Sequence, residues 1–187
     1  MGRISQPPPV KLFAGVLTSR PELFGEVESR LTPLFGPVDL KSQRFPFDAT
    51  DYYTPEMGGP IERQFLAFDA LIEAPALAEI KVRTNRIEAE FGGGAGLRRP
   101  VNLDPGYIEQ AKVVLATTKN FYHRILLADG IYGEVTLHYQ DGAWRAFPWT
   151  FPDFRDGRYF EFFAALRARY RAQLRERCLL RGSRSRS

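Results

Sequence analysis

Two stretches of this chain repeat apolar residues at steps of three and four, and each stands between short runs with strand character. Leu23, Val27, Leu31 and Leu34 form the first stretch, and Leu77, Ile80, Thr84, Ile87 and Phe91 the second. That spacing places the side chains on one face of a helix, so each helix has one buried stripe. Ser19-Arg-Pro-Glu22 has the capping-box spacing at the start of the first helix, with Ser19 as N-cap. Gly36-Pro37 ends that helix, and Gly92-Gly93-Gly94-Ala95-Gly96 ends the second. Around them, residues 11–18 (KLFAGVLT), 38–47, 61–72 and 101–103 read as strands, the first a short apolar run suited to a buried strand.

The resulting order is strand, helix, strand, strand, helix, strand. This predicts an α+β fold with a ferredoxin-like βαββαβ core. Tyr107 to Thr118 can be helix or strand, because Val113, Val114 and two threonines offset its helical spacing. The Asp-Gly pairs at 129–130 and 141–142 then divide three strands at about 121–128, 131–140 and 143–149, an antiparallel β-meander extending the core. Alternation in the middle strand puts Ile131, Val135, Leu137 and Tyr139 on one face and Tyr132, Glu134, Thr136 and His138 on the other. A C-terminal helix from Arg158 to about Arg177 carries Tyr159, Phe163, Leu166, Tyr170 and Leu174 as its apolar stripe.

Composition narrows what such a fold can be. With 187 residues and 44% hydrophobic content, the chain suits one domain over 11–177, between a flexible Pro-rich N-terminus (1–10) and a disordered Arg/Ser-rich tail (178–187). No apolar run nears the roughly 20 residues of a membrane span, and residues 1–10 lack an apolar signal core, so a cytoplasmic protein is expected. The single Cys178 leaves neither an intramolecular disulfide nor a multi-cysteine zinc site. The formal charge of +4 misleads, because eight arginines and one acid after residue 166 contribute +7 and leave the rest at −3. Contact with nucleic acid is therefore expected only non-specifically, through that tail.

Chemistry concentrates between Asn102 and Glu134. Asp104 precedes Pro105-Gly106, which predicts a turn, with either an Asx-turn or a general base and metal ligand as its role. His123 beside Arg124 has the groups to hold an anion, or to serve the structure alone. Across a hairpin about Asp129-Gly130, Arg124 falls approximately opposite Glu134 as a cross-strand ion pair. We therefore expect Asp104, His123 and Glu134 as candidate catalytic groups, facing one cleft. Asp51, Tyr52, Tyr53, Asn102, Tyr107, Lys119 and Arg124 are the candidate ligand contacts, with Arg98 or Arg99 as further sources of charge. Lys81, Asn85 and Glu88 share a helix face that is expected to be solvated, and His138 is expected at the surface. No H-x-x-x-H or similar local spacing indicates a metal, and no pattern names a cofactor.

The strings FPFDATDYYTPEMG (45–58), IKVRTNRIEAEF (80–91), VNLDPGY (101–107), LATTKNFYHRI (115–125) and DGIYGEVTL (129–137) together resemble the domain of unknown function 4416 family. The resemblance runs from about Lys11 to Leu174 and omits the Arg-rich tail. Pro148-Trp-Thr-Phe-Pro-Asp153 keeps the family's late Pro-Trp-Thr-Tyr-Pro-Asp pattern with Phe151 for Tyr. It implies a small prokaryotic cytoplasmic domain and brings no reaction with it. The GTP-binding label carried by some members has no counterpart here: there is no G-x-x-x-x-G-K-[ST] loop, and Thr118-Lys119-Asn120-Phe121 is not a guanine-reading Asn-Lys-x-Asp.

The expected function is binding of a small anionic or nucleotide-like metabolite. A non-catalytic protein-interaction module is the alternative, and RNA binding a lesser one, since the first strand lacks the polar alternation of an RNA platform. Deleting Met1–Pro9 together with the residues after Arg177 is expected to shift the melting temperature by no more than about 3 °C, measured by scanning calorimetry.

Overall fold

A computed structural model describes residues 2–50, 52–92 and 97–177. Asp51, the Gly93–Gly96 part of the predicted loop, Cys178 and the rest of the tail lie outside them. The protein is an α+β fold, with one nine-stranded antiparallel sheet and five α-helices among the described residues. The strands are β1 (Val10–Thr18), β2 (Val38–Lys41), β3 (Phe45–Pro46), β4 (Glu62–Ile72), β5 (Val101–Ile108), β6 (Lys112–Thr117), β7 (Ile125–Ala128), β8 (Ile131–Gln140) and β9 (Ala143–Ala146). The helices are α1 (Leu23–Phe35), α2 (Thr54–Met57), α3 (Leu77–Glu90), α4 (Pro152–Arg155) and α5 (Phe160–Glu176). The sheet order is β2-β4-β1-β5-β6-β8-β7, with β3 on β4 and β9 on β8.

β1 is buried along its whole length because helices cover both sides of the sheet. Leu12, Ala14 and Val16 meet the stripes of α1 and α3, together with Leu66, Phe68, Val101 and Leu103. Phe13 faces the other way, into an aromatic layer under α4 and α5. At its centre Phe65 touches Phe13, Phe154, Tyr159 and Phe163 edge-on and Phe162 face-on, at centroid distances of 4.9–6.1 Å. Edge-to-face pairs of this kind add about 0.5–1.5 kcal/mol each beyond the area they bury. At the far end, the fully buried Lys11 ammonium donates to Asp39, the Phe68 carbonyl and Gln173 of α5, fastening that helix to the sheet. Burial lowers its pKa, against the pull of Asp39. The N-terminal segment has one tie, from the Tyr170 hydroxyl to the Pro9 carbonyl.

Three local expectations are corrected, and one left open is settled. Ser19 does not cap α1: its hydroxyl donates to the Met57 carbonyl, while Glu22 pairs with Arg20. Residues 38–47 form two short strands, because the chain breaks pairing at Ser42, whose hydroxyl accepts the Phe65 amide. Tyr107–Thr118 resolves as strand. Asp104-Pro105-Gly106 is no turn but the middle of β5, with Asp104, Pro105 and Gly106 opposite Gly15, Ala14 and Phe13. Pro105 is tolerated because alternate residues of β5 point their backbone groups away from β1. Leu103 does so, as its bonds to α3 show, and Pro105 follows by alternation, so its missing N–H removes no bond to β1.

The meander turns are as read: Asp129, Gly130, Asp141 and Gly142 all have positive φ, the two-residue mirror-image hairpin turn. The alternation within β8 is not. Pairing to β6 shifts by one residue at Thr136, so Ile131 and Val135 join the cluster beside Leu77 while Leu137 and Tyr139 cross to the α5 layer. A bulge flips every side chain beyond it.

Gly106 is the tightest point of the sheet. A Cβ there would lie 2.5 Å from the Val114 carbonyl oxygen and 2.8 Å from both Leu115 and Phe13. Gly106→Ala is expected to lower the unfolding free energy in urea by about 2 kcal/mol or more. Gly25→Ala, on the exposed side of α1 with nothing within 4 Å, is expected to leave it unchanged or raise it by ~0.5–1 kcal/mol.

Candidate functional site

The sheet forks between β5 and β6. The two strands pair only from Gly106 to Ile108, so residues 101–105 have β1 on one side and no strand on the other. The orphaned backbone of Leu103 is taken up by α3: its N–H donates to Glu88 at 2.8 Å, and its carbonyl accepts the Lys81 ammonium at 2.6 Å. Lys81 and Glu88 stand 3.6 Å apart. They are only 5% and 8% exposed, which corrects the expectation of a solvated face. Two ions at i and i+7 reach the same edge because both project from one side of the helix, and they act as a substitute ladder partner.

The fork opens into a cavity of about 460 Å³. β4 contributes Arg63, α3 Lys81, the chain before β5 Arg99, β5 Asn102 and Asp104, and β6 Leu115–Thr117. β8 contributes Glu134, and the segment around α4 contributes Phe151–Phe154, while Phe47, Tyr52 and Tyr53 close one wall. Arg63 is buried under an aromatic cage, its guanidinium 5.0 Å from the Phe47 ring and 5.2 Å from that of Phe154. It bridges Asp104 at 3.5 Å and Asp153 at 3.4 Å. Burial alone would weaken this cation, but Asp153, the Tyr159 hydroxyl and Asp104 outweigh it and raise its pKa. Asp104 also stands 4.0 Å from Lys81. Arg99 joins Glu88 to the Asn102 side-chain oxygen. Burial, reinforced by Asp104, raises the pKa of Tyr53 well above the ordinary phenol range and keeps it protonated.

Behind the cavity, Glu134 Oε2 is held by Arg124 Nε at 2.8 Å and His123 Nε2 at 3.0 Å. The His123 ring stacks on Trp149 at 5.5 Å, and Trp149 on Phe147 at 4.7 Å. Trp149 and Thr150 donate to the Val135 and Thr136 carbonyls, which the bulge in β8 leaves for them. The Pro148–Asp153 motif thus braces the bulge with one end and supplies Asp153 to Arg63 with the other. Among the described residues, Arg63 Nε, Asn102 Nδ2 and Glu134 Oε1 are buried without a hydrogen-bond partner.

Of the residues singled out in the sequence, Tyr52, Tyr53, Asn102, Asp104, Lys119 and Glu134 line this cavity. His123 and Arg124 stand one contact behind, on Glu134. Lys119 is at the rim, its ammonium 3.9 Å above the Tyr52 ring. Tyr107 lies apart, packed with Leu77, Val82 and Val114 beside α3. Asp51 is outside the described residues. His138 is half-buried, its ring 4.6 Å from Phe147. Among the described residues, no three His, Cys, Asp or Glu side chains gather as a metal-binding group, and no helix is long and apolar enough to cross a membrane.

Arg63 and Asp153 escaped the sequence reading. Arg63 had a signal, an arginine in phase with Phe65 and Ala67 on the buried face of β4; Asp153 had only its place in the Pro148–Asp153 motif. The sequence profile of Domain of unknown function (DUF4416) matches residues 8–170. The chain belongs to that family. Searches of curated proteins and of solved structures returned no significant match.

Removing Lys81 strands the Leu103 carbonyl and takes one of its two cations from Glu88, leaving Arg99. Lys81→Met is expected to cost about 3 kcal/mol of stability in chemical denaturation, whereas Arg83→Met, on the exposed side of α3, is expected to stay within about 0.5 kcal/mol.

Proposed function

We propose that the protein binds a small, partly planar anionic metabolite of mononucleotide size in the forked-sheet cavity. One observation carries the reading: residues from seven separate segments converge on a space of about 460 Å³, while, among the described residues, buried polar atoms of Arg63, Asn102 and Glu134 lack a protein partner. An unpartnered buried polar atom costs about 1–3 kcal/mol, which a hydrogen-bonding ligand would offset. The volume falls in the range of metabolite pockets. Among the described residues, four cations (Arg63, Lys81, Arg99, Lys119) face three carboxylates (Asp104, Glu134, Asp153), an imbalance that favours an anion. Tyr52, Phe47 and Phe151 offer ring faces to a planar group.

In this reading Arg99 and Lys119 draw the ligand's charge, while Asp104 and Glu134 accept hydrogen bonds from its hydroxyl or amino groups. Glu134, fixed through one oxygen by His123 and Arg124, is the group best placed to take a proton if a reaction follows. The reading takes the chain as one cytoplasmic domain whose first half is a ferredoxin-like core. The order β2-β4-β1-β5, with α1 and α3 in the two crossovers, supports that core.

Native mass spectrometry of the purified protein is expected to show a co-purified small molecule, or binding from a panel of mononucleotides and small carboxylates. Asp104→Asn and Glu134→Gln are each expected to weaken binding at least about tenfold, as loss of one charged hydrogen bond does, while keeping the circular dichroism of the parent. A protein that binds none of the panel and carries nothing would end the proposal.

A further inference from the structure

Burial is inverted along residues 121–127. The polar pair His123-Arg124 turns inward onto Glu134. The apolar residues on either side, Phe121, Tyr122, Ile125, Leu126 and Leu127, are 43–78% exposed. These five are the majority of the nine large apolar side chains exposed among the described residues. Scattered exposed apolar residues are ordinary, but a cluster this dense marks an interaction surface.

The cluster includes the last strand of the sheet. Among the described residues, β7 pairs with β8 on one side only and ends the strand order, so its outer edge presents backbone donors and acceptors with no strand partner there. Ile125, Leu126, Leu127 and Ala128 are all exposed, and none is charged. Exposed edges are usually guarded by a lysine, a proline or a covering loop. β7 has only the irregularity at Leu127, whose side chain folds over Gly133.

We infer that this edge is where a second copy of the chain docks, β7 antiparallel to β7 about a two-fold axis. Such an interface is isologous, so one self-complementary strand supplies both halves of the new ladder. The exposed parts of the five side chains amount to roughly 600 Å² per copy, before the backbone and Ala128 are added. A standard interface buries about 800 Å² per partner. The absence of charge on β7 removes the repulsion that two identical charged edges would meet. Phe121 and Tyr122, their rings 4.9 Å apart, have the character of interface anchors. Docking there would also close over the far side of the His123-Arg124-Glu134 group, tying the assembly to the cavity without depending on any ligand.

The full-length protein, analysed by size exclusion with light scattering between about 1 and 100 µM, is expected to approach twice its 21.3 kDa mass. The double substitution Tyr122→Glu with Ile125→Glu is expected to return it to monomer across that range with unchanged circular dichroism. Leu34→Glu, at an exposed site on α1 outside the cluster, is expected to leave the dimer intact. Hydrogen exchange at residues 121–128 is expected to slow at least about fivefold as the protein concentrates. A parent that stays monomeric at 100 µM overturns the inference, even if another protein is captured on this edge. So does a dimer that survives the double substitution, or exchange at 121–128 that ignores concentration.

Discussion

The cavity exists because β5 parts from β6, and that parting is tolerable only because α3 stands in for the missing strand. An exposed backbone edge inside a protein is ordinarily untenable, since each buried amide and carbonyl needs a partner. Glu88 and Lys81 meet that need at Leu103 with one acceptor and one donor. Being charged, they bond more strongly than a neutral strand would, and they neutralise each other at 3.6 Å. The same two ions connect the helix layer to the cavity: Lys81 reaches toward Asp104, and Glu88 holds Arg99, which holds Asn102. Cavity geometry and stability of the sheet are therefore one problem in this protein.

On the other side of the sheet, Arg63 performs a related task. It carries a permanent charge into an aromatic layer, where ring faces, Asp104 and Asp153 replace water. The segment 147–154 is shaped by this arrangement. Trp149 and Thr150 occupy the carbonyls that the β8 bulge releases, which places Asp153 against Arg63 and Tyr159. Bulge, motif and buried arginine support one another, so a change to any of them is felt at the cavity wall.

The order of strands and helices was legible in the sequence because periodicity reports burial directly: α1, α3 and α5 bury the stripes their spacing marks, except that in α1 Leu34 is exposed and Phe35 is buried in its stead. Features that depend on a distant partner were not legible. Asp-Pro-Gly at 104–106 has turn chemistry, yet β1 on one side and the fork on the other hold it extended. Ser19 has cap chemistry, but the Met57 carbonyl takes its hydroxyl. The bulge at Thr136 leaves no mark in β8 itself, since its carbonyls are satisfied by residues 149 and 150. Lys81 and Glu88 show the same limit from the other direction, for a polar helix face looks solvated until the edge it serves is known. The His123-Arg124-Glu134 group was legible because a two-residue hairpin turn brings its strands together locally, and the irregularity at Leu127 then sets Ile125 opposite Gly133 and so Arg124 level with Glu134. Its neighbours Arg63 and Asp153 come from segments ninety residues apart.

β1 is apolar toward both layers of the fold, and both of its partners lie far along the chain. β4 ends at Ile72, and β5 runs from Val101 to Ile108. On a ribosome adding residues at about 5–20 per second, roughly 4–18 s pass between the appearance of Thr18 and that of Ile108. For that interval a strand that ends buried at all nine positions has at best one flank covered. The first nine residues of the sheet thus set a problem of timing as well as of packing: nascent chains must be shielded, or kept dilute, until the hundredth residue is in place.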